Sequence, residues 1–148
     1  LIPNGFCSMG FALPGAIAAS IVHPDRNILA IAGDAGFLMN VQEMETAARL
    51  GSNIVVMVWA DNEYGLIAWK QETHFGRHTD LTFGNPDWGQ LASAFGWHGH
   101  YVDQSNDLQP ALAKAFEEDG PSLVVIPIDY RENLLLTKKL GEITATMG

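Results

Sequence analysis

With 148 residues, 47% of them apolar and 17% charged, the chain fits one ordinary folded domain and not a disordered segment. Seventeen Asp and Glu against eight Lys and Arg, with no basic block, argue against a nucleic-acid backbone or an anionic membrane as partner. Cys7 is the only cysteine, so no intrachain disulfide is possible; no apolar run is long enough to span a bilayer, no signal or transit peptide is visible, and a cytoplasmic enzyme domain is expected.

The segment Leu1 to Ser8 reads as a loop leading to a helix, and residues 1–148 are expected to be a fragment of a longer chain. Gly10 to Val22 predicts a small-residue helix in which Pro14 is tolerable only in the first turn, ended by His23-Pro24-Asp25. Asn27 to Ala32 predicts a short buried strand that closes on the turn Gly33-Asp34-Ala35-Gly36. Phe37 to Leu50 predicts a helix with Val41, Met44, Ala47, Ala48 and Leu50 on its inner face and Gly51 at its C-terminal cap; Asn40 and Glu43 resemble a capping box. Asn53 to Ala60 predicts a second buried strand.

Asp61 to Gly84 reads as irregular, rich in His, Thr and Gly, and too long to be a bare connector, which points to a functional loop. Asn85-Pro86 opens a helix running through Trp88, Leu91, Ala92 and Phe95 to Gly96. A strand Gly99 to Val102, a helix Leu108 to Glu117 and a strand Ser122 to Asp129 follow, with Pro127 marking an edge position or the strand end. Arg131 to Gly148 is a polar tail whose Leu134-Leu135-Leu136 cluster is expected to pack on another part of the molecule. The alternation predicts an α/β fold, a doubly wound, mostly parallel sheet with helices on both faces.

Two of these strands each deliver a carboxylate, Asp34 and Asp61, at the carboxyl end. Their separation of 27 residues fits a turn, a helix and a return strand, and a right-handed βαβ unit puts both ends on one edge of the sheet. Open α/β sheets bind ligands at that edge. Two acidic side chains beside glycine-rich backbone suit a divalent cation holding a phosphorylated ligand. At a metal–oxygen distance of about 2.1 Å and an effective dielectric near 20, each carboxylate gains roughly 16 kcal/mol of gross attraction to the ion. Repulsion between two carboxylates about 4 Å apart costs only about 4 kcal/mol on that scale, so both stay ionised with metal bound and repel without it. Gly-Asp-Ala-Gly alone is more often a plain turn, and neither nucleotide phosphate-loop fingerprint is present.

Paired with Asp61-Asn62-Glu63-Tyr64-Gly65, the motif resembles that of the thiamine diphosphate enzymes, a Gly-Asp-Gly followed after a helix and a strand by an Asn-Asn pair near a Gly. The resemblance implies Mg2+ held by Asp34, Asp61 and the backbone carbonyl of Glu63, with Gly33, Ala35, Gly36, Tyr64, Gly65 and Leu66 around the cofactor. Backbone N–H groups at the start of the helix from Phe37 to Leu50 would add donors to the diphosphate. Ala35 in the third motif position and Asp61 in place of Asn are both found in acetolactate synthase-like members, the Asp in the catabolic type. Gly5-Phe6-Cys7-Ser8-Met9-Gly10-Phe11-Ala12-Leu13-Pro14 is similar to the family's aminopyrimidine-contacting segment. There the carbonyl of Cys7, where the family usually has Gly, would accept from the 4′-amino group, beside Ser8, and Met9 would wedge under the cofactor. Read alone, Met9 is core filler and Cys7 a small buried hydrophobe.

Ile67 stands where pyruvate decarboxylase-like members carry a catalytic Glu. An apolar side chain there favours capture by a second carbonyl compound over aldehyde release. Lys70 departs from the Trp of the biosynthetic acetohydroxyacid synthases. For Lys70, His74, Arg77 and His78 a solvated loop and a catalytic role both stand open, and His98 and His100 flank a strand and need not bind metal. The segment from Gly120 to Asn133 is very similar to the closing segment of acetolactate synthases.

The resemblance implies an acetolactate synthase-like enzyme that decarboxylates a 2-keto acid, pyruvate first, and ligates the product to a second one. No residue matches the family's activating Glu, which a neighbouring subunit supplies, so these residues alone are expected to be inactive and the full protein to be a homodimer or homotetramer. Another thiamine-dependent decarboxylase or carboligase, or a non-catalytic cofactor-binding module, are the alternatives; FAD in a further domain is left unassigned.

Overall fold

The computed structural model describes Ile2 and residues 5 to 132. Four parallel strands, β1 (Ile28–Gly33), β2 (Ile54–Ala60), β3 (His98–Tyr101) and β4 (Ser122–Pro127), form one sheet in the order β1-β2-β4-β3. The connections carry α1 (Ala12–Val22), α2 (Asp34–Leu38), α3 (Glu43–Leu50), α4 (Gly65–Phe75), α5 (Trp88–Ala94) and α6 (Leu108–Glu117). None of these helices is long and apolar enough to cross a membrane.

Strand β2 is interior to the sheet and covered on both faces, so it needs a continuous apolar run: Ile54 to Val58 are all buried. Its alternate side chains serve two cores. On one face Ile54, Val56 and Val58 join Leu123 and Val125 beneath Leu13 and Ile17 of α1, Phe37 of α2, Met44 of α3 and Ala92 of α5. On the other, Val55 and Val124 pack with Val102 and with Ala115 of α6. Helices therefore cover both faces, but unevenly: Leu29 and Ile31 of β1 remain 42% and 50% exposed on the α6 side.

The helix predicted over Phe37 to Leu50 is two. Its first turn moves back to Asp34, the chain turns through Met39 to Gln42, and α3 starts at Glu43. Asn40 does not cap α3, whose N-cap is Gln42 without a side-chain bond. Its amide instead donates to the carbonyl of Gly10 at 2.9 Å. Gly10 has a φ of +87°, outside the helical range, so α1 begins at Ala12, and a Cβ there would lie 2.6 Å from that Asn40 nitrogen. Pro14 falls in the first turn, where no N–H is required. Gly51 ends α3 as expected, in the left-handed conformation.

The stretch from Asp61 to Gly84 is not irregular throughout, for it contains α4. That helix packs against none of the described strands or other helices; Ala68 is buried, while Leu66, Ile67 and Phe75 are exposed. Without a core-facing stripe it leaves no periodic signal. Helix α5 starts at Trp88, past Asn85-Pro86, with Asp87 accepting from the Gln90 N–H at 2.9 Å. Strand β3 sits one residue earlier than predicted, and β4 ends at Pro127, interior to the sheet, so Pro127 marks a strand end and not an edge. The Leu134-Leu135-Leu136 cluster and residues 133–148 lie outside the described residues.

Candidate functional site

The register pairs Gly33 with Trp59, which leaves Asp34 and Asp61 just beyond adjacent strand ends on the carboxyl edge. The Asp34 side chain is buried, with 1% of the residue exposed. Its Oδ2 accepts from the N–H groups of Asp61 at 3.1 Å and Asn62 at 2.9 Å and from Asn85 Nδ2 at 2.7 Å. Its Oδ1 accepts only the Ala35 N–H, at 2.8 Å. Four donors make burial of the carboxylate tolerable. Asn62, at a φ of +61°, adopts the left-handed conformation that Asn tolerates, and so turns successive N–H groups into one anion-holding concavity. With Oδ2 saturated, a cation has Oδ1 as its approach.

Asp61 is partly buried. Its Oδ1 receives the Glu63 N–H at a long 3.4 Å, and its carboxyl is pushed above the usual range, first by burial and then by the charge of Asp34. Glu63 faces Thr82 in an isolated antiparallel bridge framed by Tyr64 N–H to Leu81 O at 3.1 Å and Phe83 N–H to Asn62 O at 2.9 Å. In that geometry the framing residues exchange the bonds, and the carbonyl of Glu63 points out of the pairing.

The segment after Asp61 is thus a closed excursion. It leaves the site, forms α4 on a turn whose Tyr64 carbonyl accepts from Ile67 and Ala68, and returns to lie against Asn62 to Tyr64. The rings of Tyr64 and Phe83 meet at 5.2 Å, and Asn85 then reaches Asp34. A Cβ on Gly65 would stand 2.9 Å from Asp61 Oδ2, so any other residue here would push the Asp61 carboxylate aside.

Ser8, Met9, Gly33, Asp34, Ala35 and Gly36 on one side, and Asp61, Glu63, Tyr64, Gly65 and Leu66 on the other, line one open groove of about 1780 Å3. Among the predicted site residues Cys7 is not on its wall. It is exposed and holds a φ of +49°, a conformation that glycine adopts freely, which accounts for Gly being the usual residue there. Met9 is 47% exposed, so it is not core filler. A Cβ on Gly33 would meet nothing within 4 Å, leaving backbone open to the groove. Ile67 lies on the groove wall; Lys70, His74, Arg77 and His78 are exposed and off it. His98 and His100 converge on Glu118 at the opposite edge, with His100 Nε2 2.7 Å from Glu118 Oε2.

Three contributors escaped the sequence reading. Tyr130 lines the groove, and its hydroxyl is pushed up by burial and then by the charges of Asp61 and Asp34. Asn40 fixes Gly10, and Asn85 binds Asp34. The position of Tyr130 just past a strand end on the ligand edge was the one available signal.

The donor set suits a divalent cation with a diphosphate: one carboxylate oxygen with spare capacity, a second carboxylate destabilised as an anion, an outward carbonyl and bare glycine backbone. Consistent with this geometry, residues 1–126 match the family model of the thiamine pyrophosphate enzymes, C-terminal TPP binding domain, and the chain belongs to that family. Within it the chain is acetolactate synthase-like. It is 42% identical over 140 residues to the catabolic acetolactate synthase of Raoultella terrigena, covering 95% of this chain and 25% of that protein. It is 36% identical over 151 residues to the acetolactate synthase of Bacillus subtilis (strain 168), covering 99% and 26%. Among solved structures, the thiamine diphosphate-dependent 4-hydroxybenzoylformate decarboxylase of Rhodococcus jostii RHA1 superposes with a TM-score of 0.77 at 25% identity, over 84% of this chain and 24% of that one. The chain thus spans about a quarter of the length of the relatives it matches.

Proposed function

We propose that this chain is the cofactor-binding part of an acetolactate synthase-like enzyme, holding thiamine diphosphate through Mg2+ on Asp34, Asp61 and the Glu63 carbonyl. The observation that carries the reading is the convergence of Asp34 and Asp61 on one groove edge, with Asp34 Oδ1 left available. Bound there, thiamine diphosphate would supply the carbon nucleophile for decarboxylation of a 2-keto acid such as pyruvate and for ligation to a second one. The residues of this chain orient the cation and support the cofactor's middle, with Met9 and Leu66 offering apolar surface. Ile67 places no proton donor on the adjoining wall, which favours ligation over aldehyde release. The apolar groove residues support an oligomer whose second subunit closes the site.

Calorimetric titration of thiamine diphosphate into the full-length protein, with and without Mg2+, tests this. Magnesium-dependent heat that disappears in Asp34→Ala is expected; its absence in the unsubstituted protein overturns the reading. The decarboxylase among the structural neighbours supports a second reading. Product analysis separates the two: an acetohydroxy acid from pyruvate supports ligation, and free aldehyde supports decarboxylation.

A further inference from the structure

Of the three donors on Asp34 Oδ2, two are backbone groups of the second motif half, and the third comes from outside both halves. It is the amide of Asn85, 51 residues along the chain, at 2.7 Å, the shortest of the three. Its own Oδ1 is buried and has no hydrogen-bond partner in the structure. The amide orientation follows from chemistry: turned over, it would set a carbonyl oxygen against the carboxylate. The bond from its amide to a buried carboxylate is charge-assisted, the stronger kind of hydrogen bond, and it fixes this end of the side chain against Asp34.

We propose that Asn85 is a positioning residue for the metal ligand Asp34. By saturating Oδ2 it fixes the carboxylate plane and leaves Oδ1 as the single oxygen presented to the cation. The role rests on the metal–diphosphate reading of the site. It also gives the excursion after Asp61 a purpose, since the segment that carries α4 returns with this amide in register. Hydrogen-bond partners of metal ligands set affinity in this way generally.

The test is binding of Mn2+ to the full-length protein with thiamine diphosphate present, followed by electron paramagnetic resonance, which needs no turnover. Asn85→Ala is expected to raise the Mn2+ dissociation constant about 10- to 100-fold. Asn85→Ser, whose shorter side chain cannot reach Asp34 Oδ2, is expected to weaken Mn2+ binding likewise, and it decides the matter where Asn85→Ala fails to fold. A changed zero-field splitting of the bound Mn2+ is expected in both variants, a signature that a merely structural role would not move. A folded Asn85→Ala or Asn85→Ser protein that binds Mn2+ within about twofold of the original overturns the proposal. No Mn2+ binding by the unsubstituted protein overturns the site reading itself; binding there with an indifferent Asn85→Ala overturns only the role of Asn85.

Discussion

The backbone N–H of Asp61 donates to the Oδ2 of Asp34 at 3.1 Å, so the two acidic residues of the motif are joined through the main chain of one and the side chain of the other. Their carboxylates repel while the backbone bond holds them close. Substituting the Asp61 side chain leaves that bond intact.

Asp61→Asn is accordingly expected to fold and, without metal, to be more stable at neutral pH than the original. The folded-state pKa of Asp61 is raised above the ordinary value of 3.8, first by burial and then by the charge of Asp34. Its contribution is most favourable below that value and is lost as pH rises through the raised one. The variant lacks this loss, and Mg2+ should stabilise it less. Urea unfolding across pH with and without Mg2+ measures both, and a metal-free variant weaker than the original at neutral pH contradicts the account.

Cys7→Gly is expected to unfold at higher denaturant than Cys7→Ala, by roughly 1 kcal/mol, because the φ of +49° at this position strains any residue with a Cβ. Since the role implied for residue 7 is a backbone carbonyl, Cys7→Gly should keep its thiamine diphosphate affinity. Loss of affinity in Cys7→Gly, seen by calorimetry, would show that the thiol itself takes part.

Glu118→Gln is expected to weaken the fold without touching cofactor binding. Burial raises the Glu118 carboxyl, but the hydrogen bond and charge of His100, with the charge of His98, more than offset it and hold it below the ordinary 4.5. The stabilisation is present above 4.5 and is lost as pH falls through the folded value. The variant should show lower stability at neutral pH and little change over that acid window. Equal stabilities at neutral pH would mean that the tie between the end of α6 and β3 contributes nothing.

Much of this arrangement was legible in the chain. The run from Ile54 to Ala60 announces a strand buried on both sides, and the spacing of Asp34 and Asp61 announces a shared edge. Helix α4 was hidden because it buries little beyond Ala68, and periodicity records only what a core demands. The break after Leu38 was hidden because the partner of Asn40 is Gly10, 30 residues away. Asn85 looks locally like the opener of a helix, since Asn before Pro ordinarily turns the chain; its bond to Asp34 is set by a return path that no local pattern encodes.

That return path has a temporal side. As the chain is made, Asp34 meets the amide of its neighbour first, the Asp61 and Asn62 amides after β2 is complete, and Asn85 last of all. The final link closes the longest loop and so carries the greatest entropic penalty of the four. On that ground it is expected to form last in folding. Hydrogen exchange at the Asp61 and Asn62 amides will therefore sense the arrival of residue 85, and the nascent protein holds its carboxylate loosely until then.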